Sequence, residues 1–318
     1  MSIQRKIVIL GVGGTIAGQG ASHGGGVNYQ AGQIAVADLL NPLLDSSFNE
    51  CFSFEVEQIA QLDSKDMDIV TWQSLAKACV RWLAQEDVTS LVITHGTDTL
   101  EETAWFLQSV LQPSKPVVLT CAMRPATALS ADGPANLRDA VLCAAQGRAG
   151  VWVVTAGEIH SSKMVRKVHP YRLNAFDSGA QGPSGWVEEG CVRWVNSVAT
   201  SITEKEAISS AVWAKNADLW PWVEIVTSTA AATSAGVEAL VCAGVRGLVI
   251  AATGNGSVHY LLQTGLLKAQ TRGVLVWRTT RCEQGQLVLA QGEDDAQAIT
   301  LSPIKARISM ILELPRHA

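Results

Sequence analysis

A chain of 318 residues, 47% hydrophobic and 17% charged, can bury a substantial core, which excludes a disordered class and favours two domains over one. Its net charge of −5 carries no basic stripe, so a nucleic-acid surface is not expected. Its apolar runs all meet Gly, Thr or charge well short of the ~20 residues that a membrane span needs, so a soluble protein without a membrane partner is expected.

The first apolar run, Lys6-Ile7-Val8-Ile9-Leu10, reads as a strand. Arg5 and Lys6 ahead of it imitate a signal peptide, but Gly11, Gly13 and Gly14 interrupt the run and no clean cleavage site follows. The strand runs into Gly11-Val12-Gly13-Gly14-Thr15-Ile16-Ala17-Gly18. A dinucleotide fingerprint fails here because its third glycine would fall on Ile16, so no nucleotide cofactor is expected. The glycines suit a hinged loop that carries Thr15 over a pocket, or more plainly a tight strand-to-helix turn.

A second strand, Ser90-Leu91-Val92-Ile93, ends in Thr94-His95-Gly96-Thr97-Asp98-Thr99. A buried strand that gives way at once to small polar residues is how an open α/β sheet presents chemistry at its carboxyl edge. Two strand ends tipped by threonine point to one hydroxyl-driven site. The spacing then predicts a helix over 97–111, with Leu100, Ala104, Leu107 and Leu111 on one face and Asp98, Glu101 and Glu102 near its N-terminus, where the dipole favours them. Further strands are expected at 116–119 and 150–154, and the alternation predicts a mostly parallel sheet flanked by helices.

Threonine is a weak nucleophile at its free pKa and needs a base or a proton relay. In the polar stretch Glu158-Ile159-His160-Ser161-Ser162-Lys163, the lysine could hold and pass a proton beside Asp98, although a loop lysine is ordinarily a solvated charge. His95 is assigned a structural place behind its strand end. No H-E-x-x-H or related metal pattern occurs, so no metal is expected.

The N-terminal catalytic domain is expected over 1–195 and a Ser, Thr and Ala-rich connector over 196–218. A smaller C-terminal α/β domain over 219–318 is expected to hold strands at 222–226, 247–251 and 273–277 with a helix at 258–269. Seven cysteines (Cys51, Cys79, Cys121, Cys143, Cys191, Cys242, Cys282) are scattered, odd in number and never spaced as C-x-x-C. Reduced thiols in the cytoplasm account for them more simply than disulfides or zinc.

Three motifs then come together: Gly13-Gly14-Thr15-Ile16-Ala17-Gly18, Thr94-His95-Gly96-Thr97-Asp98-Thr99-Leu100-Glu101-Glu102-Thr103-Ala104, and Ala122-Met123-Arg124-Pro125 followed by Ser130-Ala131-Asp132-Gly133-Pro134. With them the chain resembles the bacterial-type L-asparaginases, which hydrolyse the side-chain amide of asparagine and in some members glutamine. The resemblance implies that Thr15 is the lid-loop nucleophile with Tyr29 on its hydroxyl, and that Thr97, Asp98 and Lys163 form the second catalytic group. It implies that Ser64 grips the substrate α-carboxylate and Asp98 its α-ammonium, and that the backbone N–H groups of Thr97 and Ala122 form the oxyanion hole. Asn255 resembles the residue that reaches a neighbouring subunit's site, which implies a homodimer or homotetramer with shared sites. Glu283 is matched to the family's cross-subunit acidic residue. Lys65 stands where relatives often place an uncharged substrate contact, which bears on amino-acid preference.

These readings converge on a cofactor-free amidohydrolase that converts L-asparagine and water to L-aspartate and ammonia through a threonine ester. Thr15 is preferred as the attacking group, with Thr97 or a water molecule as the alternatives. The rivals are a broader glutaminase-asparaginase, an amidase subunit of a tRNA amidotransferase, which would call for a basic surface or an added domain, and a non-catalytic amino-acid-binding protein on the same fold.

Overall fold

The computed structural model describes residues 5–20, 28–44, 52–195, 208–289 and 297–314. The chain divides into two compact units, Met1–Ala207 and Ile208–Ala318.

In the first unit, β1 (Arg5–Gly13), β2 (Gln19–Gly20) and β3 (Tyr29–Gln30) precede α1 (Val36–Leu44), β4 (Phe52–Leu62), α2 (Ile69–Leu83) and β5 (Val88–Thr94). They are followed by α3 (Leu100–Leu111), β6 (Pro116–Thr120), α4 (Gly133–Gln146) and β7 (Gly150–Thr155). The chain then turns through β8 (Glu158–Ser161), β9 (Arg166–Lys167), β10 (Phe176–Asp177), β11 (Gly185–Glu188) and β12 (Cys191–Trp194).

Eight strands form one sheet in the order β12-β11-β8-β7-β6-β5-β1-β4. From β4 to β7 every pairing is parallel, and β8, β11 and β12 add an antiparallel flank. The expected strands at 6–10, 90–93, 116–119 and 150–154 are all in the parallel part, because continuous apolar runs mark strands covered on both faces. On one face Ile7, Ile9, Val92, Val118 and Trp152 pack against Leu137 and Val141 of α4. The alternate residues Val8, Leu10, Leu91, Ile93, Val117 and Leu119 are also fully buried, as the period of two requires when helices lie on both sides.

Helix α3 starts at Leu100 rather than at Thr97. The Thr99 hydroxyl does not cap it but donates to the Ser64 carbonyl at 2.7 Å, which holds Thr97–Thr99 in a turn at the strand end. Helix α2 does carry a side-chain cap, since Asp68 accepts from the Thr71 N–H at 2.7 Å.

In the second unit a short helix, α5 (Ser210–Trp213), occupies part of the stretch expected as connector, whose residues 196–207 lie outside the described residues. It is followed by β13 (Val223–Thr227), α6 (Ala235–Cys242), β14 (Gly247–Ala252), α7 (Tyr260–Thr271), β15 (Leu275–Thr280) and α8 (Pro303–Glu313). The three strands form a parallel sheet, β13-β14-β15. Leu248 and Ile250 face Val237, Leu262 and Leu266 of α6 and α7, while Val249 faces Ala306, Met310 and Ile311 of α8. Both units are therefore α/β, as the alternating pattern leads one to expect.

Candidate active site

Strands β1 and β5 are parallel neighbours, so both threonine-tipped ends leave the sheet at the same edge. What lets them close on each other is a pair of glycines. A Cβ on Gly14 would sit 2.2 Å from the Gly96 Cα, and one on Gly96 would sit 2.4 Å from the Ser64 Oγ. Gly14 also has φ +82°, a conformation that a side chain disfavours. Only glycine permits this approach, and Thr15 and Thr97 each follow directly on one of the two.

Around Thr15, the hydroxyl lies 2.7 Å from the Tyr29 hydroxyl. Tyr29 reaches it because β2 and β3 pair antiparallel, with Gly20 opposite Tyr29. Residues 21–27 of the connecting loop lie outside the described residues. Ile16 and Ala17 pack against Ala122, so the segment after β6 is drawn to the same place. That segment is fixed by Asp132, whose carboxylate accepts the backbone N–H groups of Met123 and Arg124, each at 2.9 Å. Asn136 completes the clasp by donating to the Cys121 carbonyl at 2.9 Å.

Around Thr97, the contacts are ionic. The Lys167 ammonium donates to Thr97 Oγ1 at 2.7 Å and to Asp98 Oδ1 at 2.5 Å. Ser64, itself 2% exposed, accepts the Asp98 N–H on its Oγ at 3.1 Å. That contact uses a lone pair of Ser64 Oγ and leaves its hydroxyl proton to donate elsewhere. The backbone N–H of Lys167 donates to Glu101 of α3 at 3.3 Å, which ties β9 to the helix after the Thr97 turn.

This geometry corrects the relay lysine. The cation on Thr97 and Asp98 is Lys167, not the expected Lys163 four positions earlier. Lys163 falls in the turn after β8, and the chain must run on into β9 before a side chain returns to the strand ends. Nothing in the local sequence separates the two lysines.

The remaining expectations fall as follows. Thr15, Tyr29, Ser64, Thr97, Asp98 and the Ala122 backbone are gathered at the carboxyl edge of the sheet. Lys65 is 60% exposed and pairs with Asp66. That hydrogen bond, with the charges of Asp63 and Asp98, holds its ammonium pKa above the usual lysine value. Asn255, in the second unit, turns its amide onto the backbone of Val288, donating to the carbonyl at 2.7 Å and accepting the N–H at 2.8 Å. Glu283 is exposed in the segment after β15. Among the described residues no cluster of His, Cys, Asp and Glu is arranged to hold a metal.

The family model "Asparaginase, N-terminal" matches residues 6–200, and "Glutaminase/Asparaginase C-terminal domain" matches 222–317. The chain is 35% identical to a glutaminase-asparaginase of Pseudomonas fluorescens biotype A over 98% of its own length and 86% of the relative's. It is 35% identical to L-asparaginase 2 of Escherichia coli K12 over 97% of its own length and 88% of the relative's. The crystal structure of a probable cytoplasmic L-asparaginase from Campylobacter jejuni, 34% identical, superposes with a TM-score of 0.86 over 98% of this chain and 95% of that one. On both its domain models and its full-length relatives, the chain belongs to the asparaginase family.

Proposed function

We propose that the protein is an L-asparagine amidohydrolase that works through a threonyl ester. The observation that carries this reading is the convergence of two hydroxyls at one sheet edge, Thr15 on a phenol and Thr97 on a lysine–aspartate pair. An ammonium that donates to Thr97 Oγ1 occupies a lone pair of that oxygen, which weakens it as a nucleophile and strengthens it as a proton donor. Thr15 carries no such burden, so it is the attacking group.

In the proposed course Thr15 Oγ1 bonds to the side-chain carbonyl carbon and its proton passes to the Tyr29 oxygen as the phenol hands its own to solvent water. The N–H groups of Thr97 and Ala122 take up the developing oxyanion. The C–N bond breaks as the nitrogen receives a proton from Thr97, resupplied by Lys167, and ammonia leaves. Water then attacks the ester and its proton restores Lys167, while Thr15 takes back a proton from solvent through the Tyr29 hydroxyl as aspartate departs. No cofactor is required. Ser64 grips the α-carboxylate and Asp98 the α-ammonium.

Glutamine hydrolysis belongs to the same proposal, because some relatives are named glutaminase-asparaginase. We place the enzyme in the cytoplasm, a reading supported by the six free cysteines among the described residues and by the name of the Campylobacter structure, although a Haemophilus influenzae relative is named periplasmic. A homo-oligomer that shares sites through Asn255 and Glu283, and the domain limits 1–195 and 219–318, complete the reading. Ammonia release from asparagine and from glutamine, measured for the wild type and for Thr15→Ala, tests it. Release from asparagine that the variant abolishes supports the proposal, and wild-type-like release by the variant removes Thr15 from the nucleophile's place.

A further inference from the structure

His95 sits directly behind the site, 0% exposed, in a chain of hydrogen bonds with only one possible direction. The Trp72 indole N–H can only donate, and it donates to Thr103 Oγ1 at 2.9 Å. The Gly96 carbonyl can only accept, and it lies 2.7 Å from His95 Nδ1, which must therefore carry the proton. Nε2 is then an acceptor, filled by the Thr103 hydroxyl at 2.9 Å. Burial agrees, since it pushes the imidazole pKa down to about 4 and keeps the ring neutral.

The carbonyl that His95 holds shares a peptide plane with the Thr97 N–H. In a trans peptide the two groups point in opposite directions, so a bond that fixes one fixes the other. Position 96 needs such a restraint. Its close approach to Gly14 and Ser64 demands glycine, and glycine leaves the adjoining peptide more freedom than any other residue. We propose that His95 is a positioning residue, whose Nδ1–H locks the Gly96–Thr97 peptide so that the Thr97 N–H faces the substrate oxygen. Trp72 and Thr103 extend the lock into α2 and α3, and a directed chain also polarises each successive bond. The inference rests on the amidohydrolase reading for its catalytic consequence, not for its geometry.

Two substitutions separate this role from simple packing. Asn places a donor where Nδ1 stood and loses the Nε2 acceptor, whereas Gln retains a polar atom near Nε2 and loses the Nδ1 donor. In the full chain, His95→Gln should lower kcat for asparagine about three- to tenfold, the scale of one net hydrogen bond, with KM within about twofold. His95→Asn should stay within about twofold of wild type in both constants, even though it too loses a bond and its Tm falls. Equal kcat losses in the two variants, or losses that follow Tm alone, overturn the proposal. Nitrogen NMR of histidine-labelled wild type provides a second arm that needs no variant to fold. It should show His95 protonated at Nδ1 and unchanged from about pH 6 to 8, and a ring protonated at Nε2 with Nδ1 bare overturns the lock. A wild type that releases no ammonia from either amide would sink the functional reading alone, and the NMR arm would still decide the geometry.

Discussion

Lys167 owes its place to the reversal of β7 into β8 and the turn from Ser161 to Val165 that leads into β9, and its 2.7 Å bond to Thr97 spans 70 residues of sequence. Lys167→Met should therefore lower kcat by about a hundredfold or more, the usual range for a lost proton-transfer partner, with a smaller effect on KM. Lys163→Met should stay within about threefold of wild type, as ordinary surface changes do. Initial rates of ammonia release decide between them, and the opposite ranking would return the relay to position 163. Thr97→Val should nearly abolish turnover while aspartate still binds, since it removes the hydroxyl that the proposed course uses to deliver the proton. The threonines were legible in the sequence because each follows an apolar run and a glycine, a local pattern. The lysine was not, because two lysines four apart offer equal chemistry and only the long-range course of the chain chooses. His95 was readable as buried, but its grip on the Gly96 carbonyl needs the hydroxyl of Thr103 and the indole of Trp72, neither of which a local reading connects to it.

Elements divide along the same line. Four of the five parallel strands of the large sheet announced themselves because burial on both faces leaves an unbroken apolar run. Strand β4 did not, since it lies at the sheet edge and mixes Glu55, Glu57 and Gln58 with Phe52, Phe54 and Val56. Helix α3 was legible in type but not in its start, because the Thr99 hydroxyl serves Ser64 rather than the helix. Where a loop must hold a shape without strand or helix, one carboxylate does the work. Asp132 is the common acceptor for Met123 and Arg124, and its removal leaves two N–H groups without their partner. Asp132→Ala should cost about 1–3 kcal/mol of stability, the range for a charged acceptor lost from a part-buried site. It should also lower kcat, because the Ala122 N–H belongs to the same segment. Urea unfolding and steady-state kinetics would show both effects, and a stability loss with unchanged kcat would detach Ala122 from the oxyanion site.

For the whole molecule, His95 also sets a dependence of stability on pH. Its folded-state pKa of about 4 lies below the ordinary 6.5, so the unfolded chain binds a proton that the folded chain refuses across that interval. The stabilisation is complete above about pH 6.5 and is lost progressively as pH falls toward 4. Between pH 7.5 and 5 the loss comes to about 2 kcal/mol, which exceeds the effect of most single surface substitutions. Glu158 acts with the same sign at lower pH, because the His160 imidazole, 3.4 Å away, holds its carboxyl below the usual range. Asp139 opposes it, because burial raises its carboxyl and the folded state there binds the extra proton. Both carboxyl groups are present in wild type and in a His95 variant alike. The other histidines contribute equally to wild type and to a His95 variant, and the comparison cancels them. Urea midpoints at fixed protein concentration should fall from pH 7.5 to 5 in wild type and fall by less in His95→Asn. The variant will be less stable at pH 7.5, so the readout is the convergence of the two curves toward acid. Parallel curves would mean that His95 protonates as readily inside the fold as outside it, and the neutral ring would then have to be abandoned, although an imidazolium keeps the Nδ1 proton on the Gly96 carbonyl.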